Sequence, residues 1–103
     1  MTLLSKLFRG LGDPTRLAIL QELRSGERRV SDLVALTNKS QPNVSLHIAC
    51  LRDCGLVVGR AKGRETYYSL SSERMEDLLV AAQDVISKTG ARLCGCANYE
   101  GRA

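Results

Sequence analysis

The stretch Ser40–Leu56, S-Q-P-N-V-S-L-H-I-A-C-L-R-D-C-G-L, constrains this chain more than any other. Ser40 can cap a helix and Pro42 suits its first turn. Gly55 supplies a stop. A helix is therefore predicted over residues 41–53. At about 100° per residue, Val44, Ile48 and Leu51 fall on one face, the core side, with Gln41 at its edge. Pro42, Ser45, Leu46 and Ala49 point the other way. That outward face is small and nearly uncharged, apart from Asp53 at its end. An ordinary solvated helix carries Lys and Glu there. Short polar groups and methyls are what a helix in a DNA major groove needs.

What precedes and follows this helix fits that use. Leu33, Val34 and Leu36 predict a short helix, with Ser31 as its cap and Asp32 near its positive end. Asn38-Lys39 turns the chain into Ser40. Two short helices joined by such a turn form a helix-turn-helix candidate. Downstream, Leu56–Arg60 and Glu65–Leu70 are rich in β-formers and predict two strands. The tip between them, Ala61-Lys62-Gly63-Arg64, gathers Arg60, Lys62 and Arg64. A basic hairpin directly after a helix-turn-helix reads as a wing that grips phosphates or the adjacent minor groove.

Three further helices frame this unit. Leu3, Leu4, Leu7, Phe8 and Leu11 make a short amphipathic helix, ended by Gly10 and Gly12. Asp13-Pro14-Thr15 starts a second, with Leu17, Ile19, Leu20 and Leu23 as its stripe and Gly26 as its stop. Ser72 begins a last helix, expected to run to about Thr89 and to stop at Gly90. Its wide stripe of Met75, Leu78, Leu79, Ala82, Val85 and Ile86 predicts pairing with a copy of itself. The expected organisation is one domain over residues 1–90 and a flexible Cys-containing tail over 91–103.

Composition narrows the function. With 103 residues, one small domain is the default. Aromatics are 4% with no Trp, poor material for an aromatic-lined pocket or a base-stacking platform. The formal charge of +4 is compatible with a nucleic-acid partner. No apolar run approaches the roughly 20 residues of a membrane span. No signal-peptide pattern opens the chain, so a cytoplasmic location is expected.

The four cysteines fall in two pairs, Cys50/Cys54 and Cys94/Cys96. Paired thiols in a reducing compartment point to metal or redox chemistry rather than to a disulfide framework. Cys50 and Cys54 lie about 40° apart and one turn along the same helix flank. Their sulfurs can reach one ion but leave it under-coordinated. A third thiolate from the tail would close the site. Thiolate-only sites favour soft ions such as Cd(II) and Pb(II), and three sulfurs also suit As(III). Cysteine as a small buried hydrophobe is the bland alternative, strongest for Cys54. It leaves C-x-C on a tail unexplained.

Several motifs together resemble the ArsR/SmtB winged-helix repressors. They are L-x-D-P-T-R-L-x-I-L at Leu11–Leu20, S-D-L at Ser31–Leu33, S-Q-P-N-V-S-L-H-I at Ser40–Ile48, L-R-D-C-G-L-V at Leu51–Val57, and a hairpin ending Y-Y-S-L. The resemblance covers residues 3–88. It implies a mainly α winged helix-turn-helix, α-α-α-α-β-β-α, homodimeric through its first and last helices. It also implies repression at operator double-stranded DNA, relieved by an inducer. Two of the family's metal locations lack their ligands here. Arg28–Leu33 has no Cys at the start of the third helix, and the last helix has no His. A third, in the CmtR-type cadmium/lead sensors, uses C-L-R-x-C-G-L-V, completed by a tail cysteine. Here C-L-R-D-C-G-L-V stands at Cys50–Val57, and Cys94 and Cys96 lie in a tail shorter than that type leads one to expect.

The resulting expectation is a repressor that binds a thiophilic ion through Cys50, Cys54, Cys94 and Cys96 and then releases DNA. Cd(II) or Pb(II) is favoured, with As(III) or Zn(II) as further candidates. The residues expected to meet DNA are Ser40, Gln41, Asn43, Ser45, Leu46, His47, Ala49, Arg60, Lys62 and Arg64. His47 shares the thiols' flank, but the family carries a His there without cysteines, which favours a structural or DNA-facing role. A repressor sensing redox state or persulfide is the nearest alternative. A small thiol-dependent enzyme is the alternative from another class. Against it stand the lack of C-x-x-C, of a phosphate-binding Gly loop and of an evident carboxylate pair, and no catalytic residue is assigned.

Overall fold

A computed structural model describes residues 2–95, with side chains described to Gly90. The chain runs α1 (Leu3–Leu11), α2 (Pro14–Leu23), α3 (Val30–Thr37), α4 (Gln41–Asp53), β1 (Val57–Lys62), β2 (Glu65–Leu70) and α5 (Glu73–Gly95). This is the expected winged helix-turn-helix order.

The helix starts follow local chemistry. Thr2 accepts a hydrogen bond from the Ser5 N–H at 3.0 Å and opens α1. Asp13 accepts from the Arg16 N–H at 2.9 Å, with Pro14 in the first position of α2. That bond to the Arg16 amide holds the Asp13 carboxyl below its usual range. Ser40 accepts from the Asn43 N–H at 3.3 Å at the start of α4. The turn before it passes through Asn38 in the left-handed region, φ 57°, a conformation Asn tolerates better than most residues.

One cap differs from expectation. Ser31 lies inside the first turn of α3, and Arg29 is the N-cap. Asp32, not Ser31, satisfies the helix start, because its carboxylate reaches back to the Arg29 N–H at 2.9 Å. The same carboxylate takes the Arg29 guanidinium at 3.0 Å, and that guanidinium also reaches Glu65 on β2 at 2.9 Å. These bonds, Arg29 foremost, hold the Asp32 carboxyl down to about 2. Because the folded value is depressed, the contribution to stability is present above about pH 4 and fades as pH falls towards 2. The thermal midpoint of Asp32→Asn should therefore lie below wild type at pH 6, and the gap should close between about pH 4 and pH 2. A gap unchanged at pH 2 would contradict this assignment.

The hairpin is antiparallel, with Val57 opposite Leu70 and Lys62 opposite Glu65. Only Gly63 and Arg64 lie between the strands, so β1 extends further than expected. Gly63 has φ 65° and Arg64 is not in the positive-φ region. Gly at the first central position with positive φ is the type II′ pattern, whose twist matches the strands. Arg28 pairs with Tyr68 by two backbone bonds of 3.0 and 2.8 Å, tying the wing to the loop before α3.

The core is apolar. Ile19, Leu20, Leu23, Leu33, Val44, Ile48 and Leu51 form its centre, and Val57, Met75 and Leu79 close it. The predicted inner face of α4 is therefore the observed one. Two apolar surfaces remain uncovered, Leu3, Leu4 and Phe8 on α1 and Val80, Val85 and Ile86 on α5.

Helix α5 continues past its expected stop, through Gly90 to Gly95. A glycine inside a helix costs only about 1 kcal/mol relative to Ala, too little to end a helix with good propensity on either side. The turn before Gly90 is reinforced by a Lys88–Asp84 ion pair of 3.3 Å. The backbone of Cys94 is therefore helical. Its side chain, and all of Cys96, lie outside the described residues.

Candidate nucleic-acid interface and thiol pair

Helix α4 carries both candidate sites. On its outward side, Ser40 and Gln41 are exposed, Asn43, Ser45 and Ala49 are half-buried, and Leu46 is 69% exposed. A leucine so open on a helix with a packed inner face costs apolar exposure that folding does not recover. A thymine methyl is the kind of partner that would recover it. His47 is half-buried.

The wing divides its cations. Arg64 shares a groove of about 310 Å³ with Gln41, Ser31 and Arg29, so the wing tip and the start of the reading helix face one space. Lys62 is exposed and lies 5.8 Å from the Tyr67 ring centre. Arg60 is exposed too, but it gives both arms of its guanidinium to Glu27, at 2.8 and 3.0 Å. That contact holds the Glu27 carboxyl below its usual range. Among the described residues, Lys62 and Arg64 make no ion pair, so they are the wing's free charges. Arg60 is first a strut that ties β1 to the loop before α3.

One turn beyond Leu46, Cys50 is half-buried, Cys54 at the helix end is exposed, and neither is in a disulfide. Cys54 closes α4, with its N–H bonded to the Cys50 carbonyl at 3.0 Å. Both line a cavity of about 280 Å³ between α1 and α4, whose walls include Leu3, Leu7, Leu51 and Leu56. The Cys54 thiol is pushed above its usual range. The largest cause is loss of water at the cavity wall, although the residue as a whole is exposed. Cys50 beside it adds to the effect.

Sequence reasoning missed Arg16. Its Nη1–H donates to Cys50 Sγ at 3.4 Å, and its Nε–H donates to the Gly10 carbonyl at 3.1 Å. It lies 34 residues from Cys50, and its only trace in the sequence is a place in D-P-T-R-L. Among the described residues, no three His, Cys, Asp or Glu side chains gather as a metal site. His47 and Asp53 therefore do not complete the pair. Two sulfurs a turn apart fit a soft cation as part of its donor set, and the remaining donor has to come from elsewhere.

Residues 13–58 match the family described as "Bacterial regulatory protein, arsR family". A probable mercury resistance operon repressor of Streptomyces lividans is 39% identical over 97 residues, covering 94% of this chain and 78% of that protein. The HTH-type transcriptional regulator CmtR of Mycobacterium tuberculosis is 42% identical over 72 residues. That match covers 70% of this chain, which spans 61% of CmtR. A homodimeric winged helix-turn-helix DNA-binding domain from Mycobacterium bovis, a possible ArsR-family regulator, superposes with a TM-score of 0.75. It is 26% identical, covering 91% of this chain and 84% of that domain. The family and fold are those of DNA-binding regulators rather than enzymes. This chain belongs to the ArsR family of bacterial transcriptional repressors.

Proposed function

We propose that this repressor senses a thiophilic heavy-metal ion through Cys50 and Cys54 and releases its operator when the ion binds. The observation that carries the reading is the pair itself, two free thiols one turn apart on the helix that reads DNA, lining one cavity. A thiol of Cys94 or Cys96 completes the donor set. The C-L-R-D-C-G-L-V sequence at Cys50–Val57, through its resemblance to the CmtR-type sensors, supports Cd(II) or Pb(II). The name of the Streptomyces lividans relative adds Hg(II) to the ions to be tried beside As(III) and Zn(II). Binding soft ions to thiols releases protons, and the raised Cys54 thiol makes occupancy rise with pH. Ser40, Gln41, Asn43, Ser45, Leu46 and Ala49 meet the major groove, with Lys62 and Arg64 on the flanking backbone. His47 supports α4 from its flank.

The test is an anaerobic titration of the metal-free dimer on operator DNA, followed by fluorescence anisotropy and by sulfur-to-metal charge-transfer absorbance. At least one soft ion should weaken operator binding by about 5- to 150-fold, the usual span of such coupling. Cys50→Ser and Cys54→Ser should each bind DNA like wild type and fail to release it. Release by either variant at wild-type metal concentrations would sink the assignment. Release without an absorbance band, abolished by reductant, would favour thiol oxidation instead.

A further inference from the structure

The thiols of Cys50 and Cys54 open onto a cavity with leucine walls. It measures about 280 Å³, and Leu3, Leu7, Leu51 and Leu56 line it beside the pair. A bare cation gains nothing from such walls, because they offer it no donor. An apolar group does gain, and a cavity of about 150 Å³ lined by similar side chains takes up benzene. Among the described residues, no third ligating side chain joins the two sulfurs. The site therefore offers two thiols and an apolar volume. Its matching occupant has two positions that exchange for sulfur and one apolar substituent that does not.

We propose that this cavity binds a trivalent organoarsenical, R–As(OH)2 with R an aryl group, through Cys50 and Cys54 together. The proposal rests on the thiol-sensor reading and deepens it, naming an inducer that needs no tail cysteine. Trivalent arsenic makes three bonds, and the As–C bond is one of them. Each thiol condenses with one As–OH. Two As–S bonds form, two As–O bonds break, and the thiol protons leave in two waters. Arsenic stays trivalent, so no oxidant or reductant takes part. Thiols four residues apart on a helix are neighbours, as closing one ring through arsenic requires. The aryl group fills the leucine-walled volume. Arg16, whose Nη1–H donates to Cys50 Sγ at 3.4 Å, favours the thiolate there, the form that attacks. The reaction releases no net proton. Affinity should therefore be flat from about pH 6 to pH 8, whereas a bare cation displaces thiol protons and binds better as pH rises.

The test titrates phenylarsonous acid, methylarsonous acid and Cd(II) into the reduced full-length protein, with dithiothreitol as the competing dithiol. One phenyl compound should bind per protomer, blocking iodoacetamide at Cys50 and Cys54 and leaving Cys94 and Cys96 reactive. Relative to dithiothreitol, the protein should prefer phenyl over methyl on the order of 10- to 100-fold, from burial of the ring. Gly10 also lines the cavity, and a Cβ there meets nothing within 4 Å. Gly10→Leu should therefore erase most of the phenyl preference and leave methyl binding unchanged. Cys50→Ser and Cys54→Ser should each lose about 100-fold or more, as the chelate opens. The double variant Cys94→Ser/Cys96→Ser should bind the phenyl compound and leave operator DNA like wild type. Equal preference for phenyl and methyl overturns the proposal, as does loss of phenyl binding in that double variant. If Cd(II) still releases wild type from the operator in either case, the sensor reading stands alone. Failure of both arsenicals and of Cd(II) removes the two together.

Discussion

Leu51→Ala is expected to destabilise the protein by about 3–5 kcal/mol, the upper part of the range for Leu→Ala in a core. Leu51 is 1% exposed and sits among Ile48, Val44 and Leu20 at the centre of the helix-turn-helix. It also forms part of the wall between that core and the cavity of about 280 Å³ beside Cys50. Truncation merges the new void with space that already exists, so the neighbours cannot collapse to fill it. Small domains have only about 5–15 kcal/mol in total, so this one change takes a large share. Urea denaturation at fixed protomer concentration measures it, since a homodimer's apparent stability depends on concentration. Leu36→Ala is the control. That residue is 48% exposed, and its loss should stay within about 0.5 kcal/mol. A cost below about 1 kcal/mol for Leu51→Ala would mean that the cavity wall is not packed as described.

The same residue illustrates how far the sequence could be read. Leu51, Ile48 and Val44 were legible because a 3.6-residue period leaves a repeating trace along one helix. The wing was legible because β-formers flank a Gly-containing tip. Local chemistry became ambiguous where two groups could do one job. Ser31 and Asp32 both suit the start of α3, and the carboxylate wins because it can serve the Arg29 amide and guanidinium together. Gly90 resembled a stop, yet a single glycine is a small penalty against a helix with good propensity on either side. Contacts between distant residues left no pattern at all. Glu27 and Arg60 are 33 residues apart, and nothing in either segment announces the pair. Arg16 and Cys50 are the same case. The thiol pair on α4 was legible because both members share one helix. The proposed completion of the pair by Cys94 or Cys96 rests on the sequence alone, and metal titration of Cys94→Ser and Cys96→Ser decides between them.

Leu46→Glu is expected to abolish specific operator binding while leaving the fold intact. The side chain is 69% exposed, so replacing it removes almost no packing. Glu and Leu have similar helix propensities. The thermal midpoint should therefore stay within about 1 °C to 3 °C of wild type, as for other exposed changes. On DNA the change is severe. It removes a methyl-bearing contact in the major groove and brings a carboxylate close to two rows of phosphates. An affinity loss on the order of 100-fold or more follows, about 3 kcal/mol. Leu46 lies one turn before Cys50 but does not line the cavity that holds the two thiols, so soft-ion absorbance at Cys50 and Cys54 should not change. Reading and sensing would then separate on a single helix. If Leu46→Glu still bound the operator within about threefold of wild type, the outward face of α4 would not be the reading surface. The groove between Gln41 and Arg64 would then have to carry specificity alone.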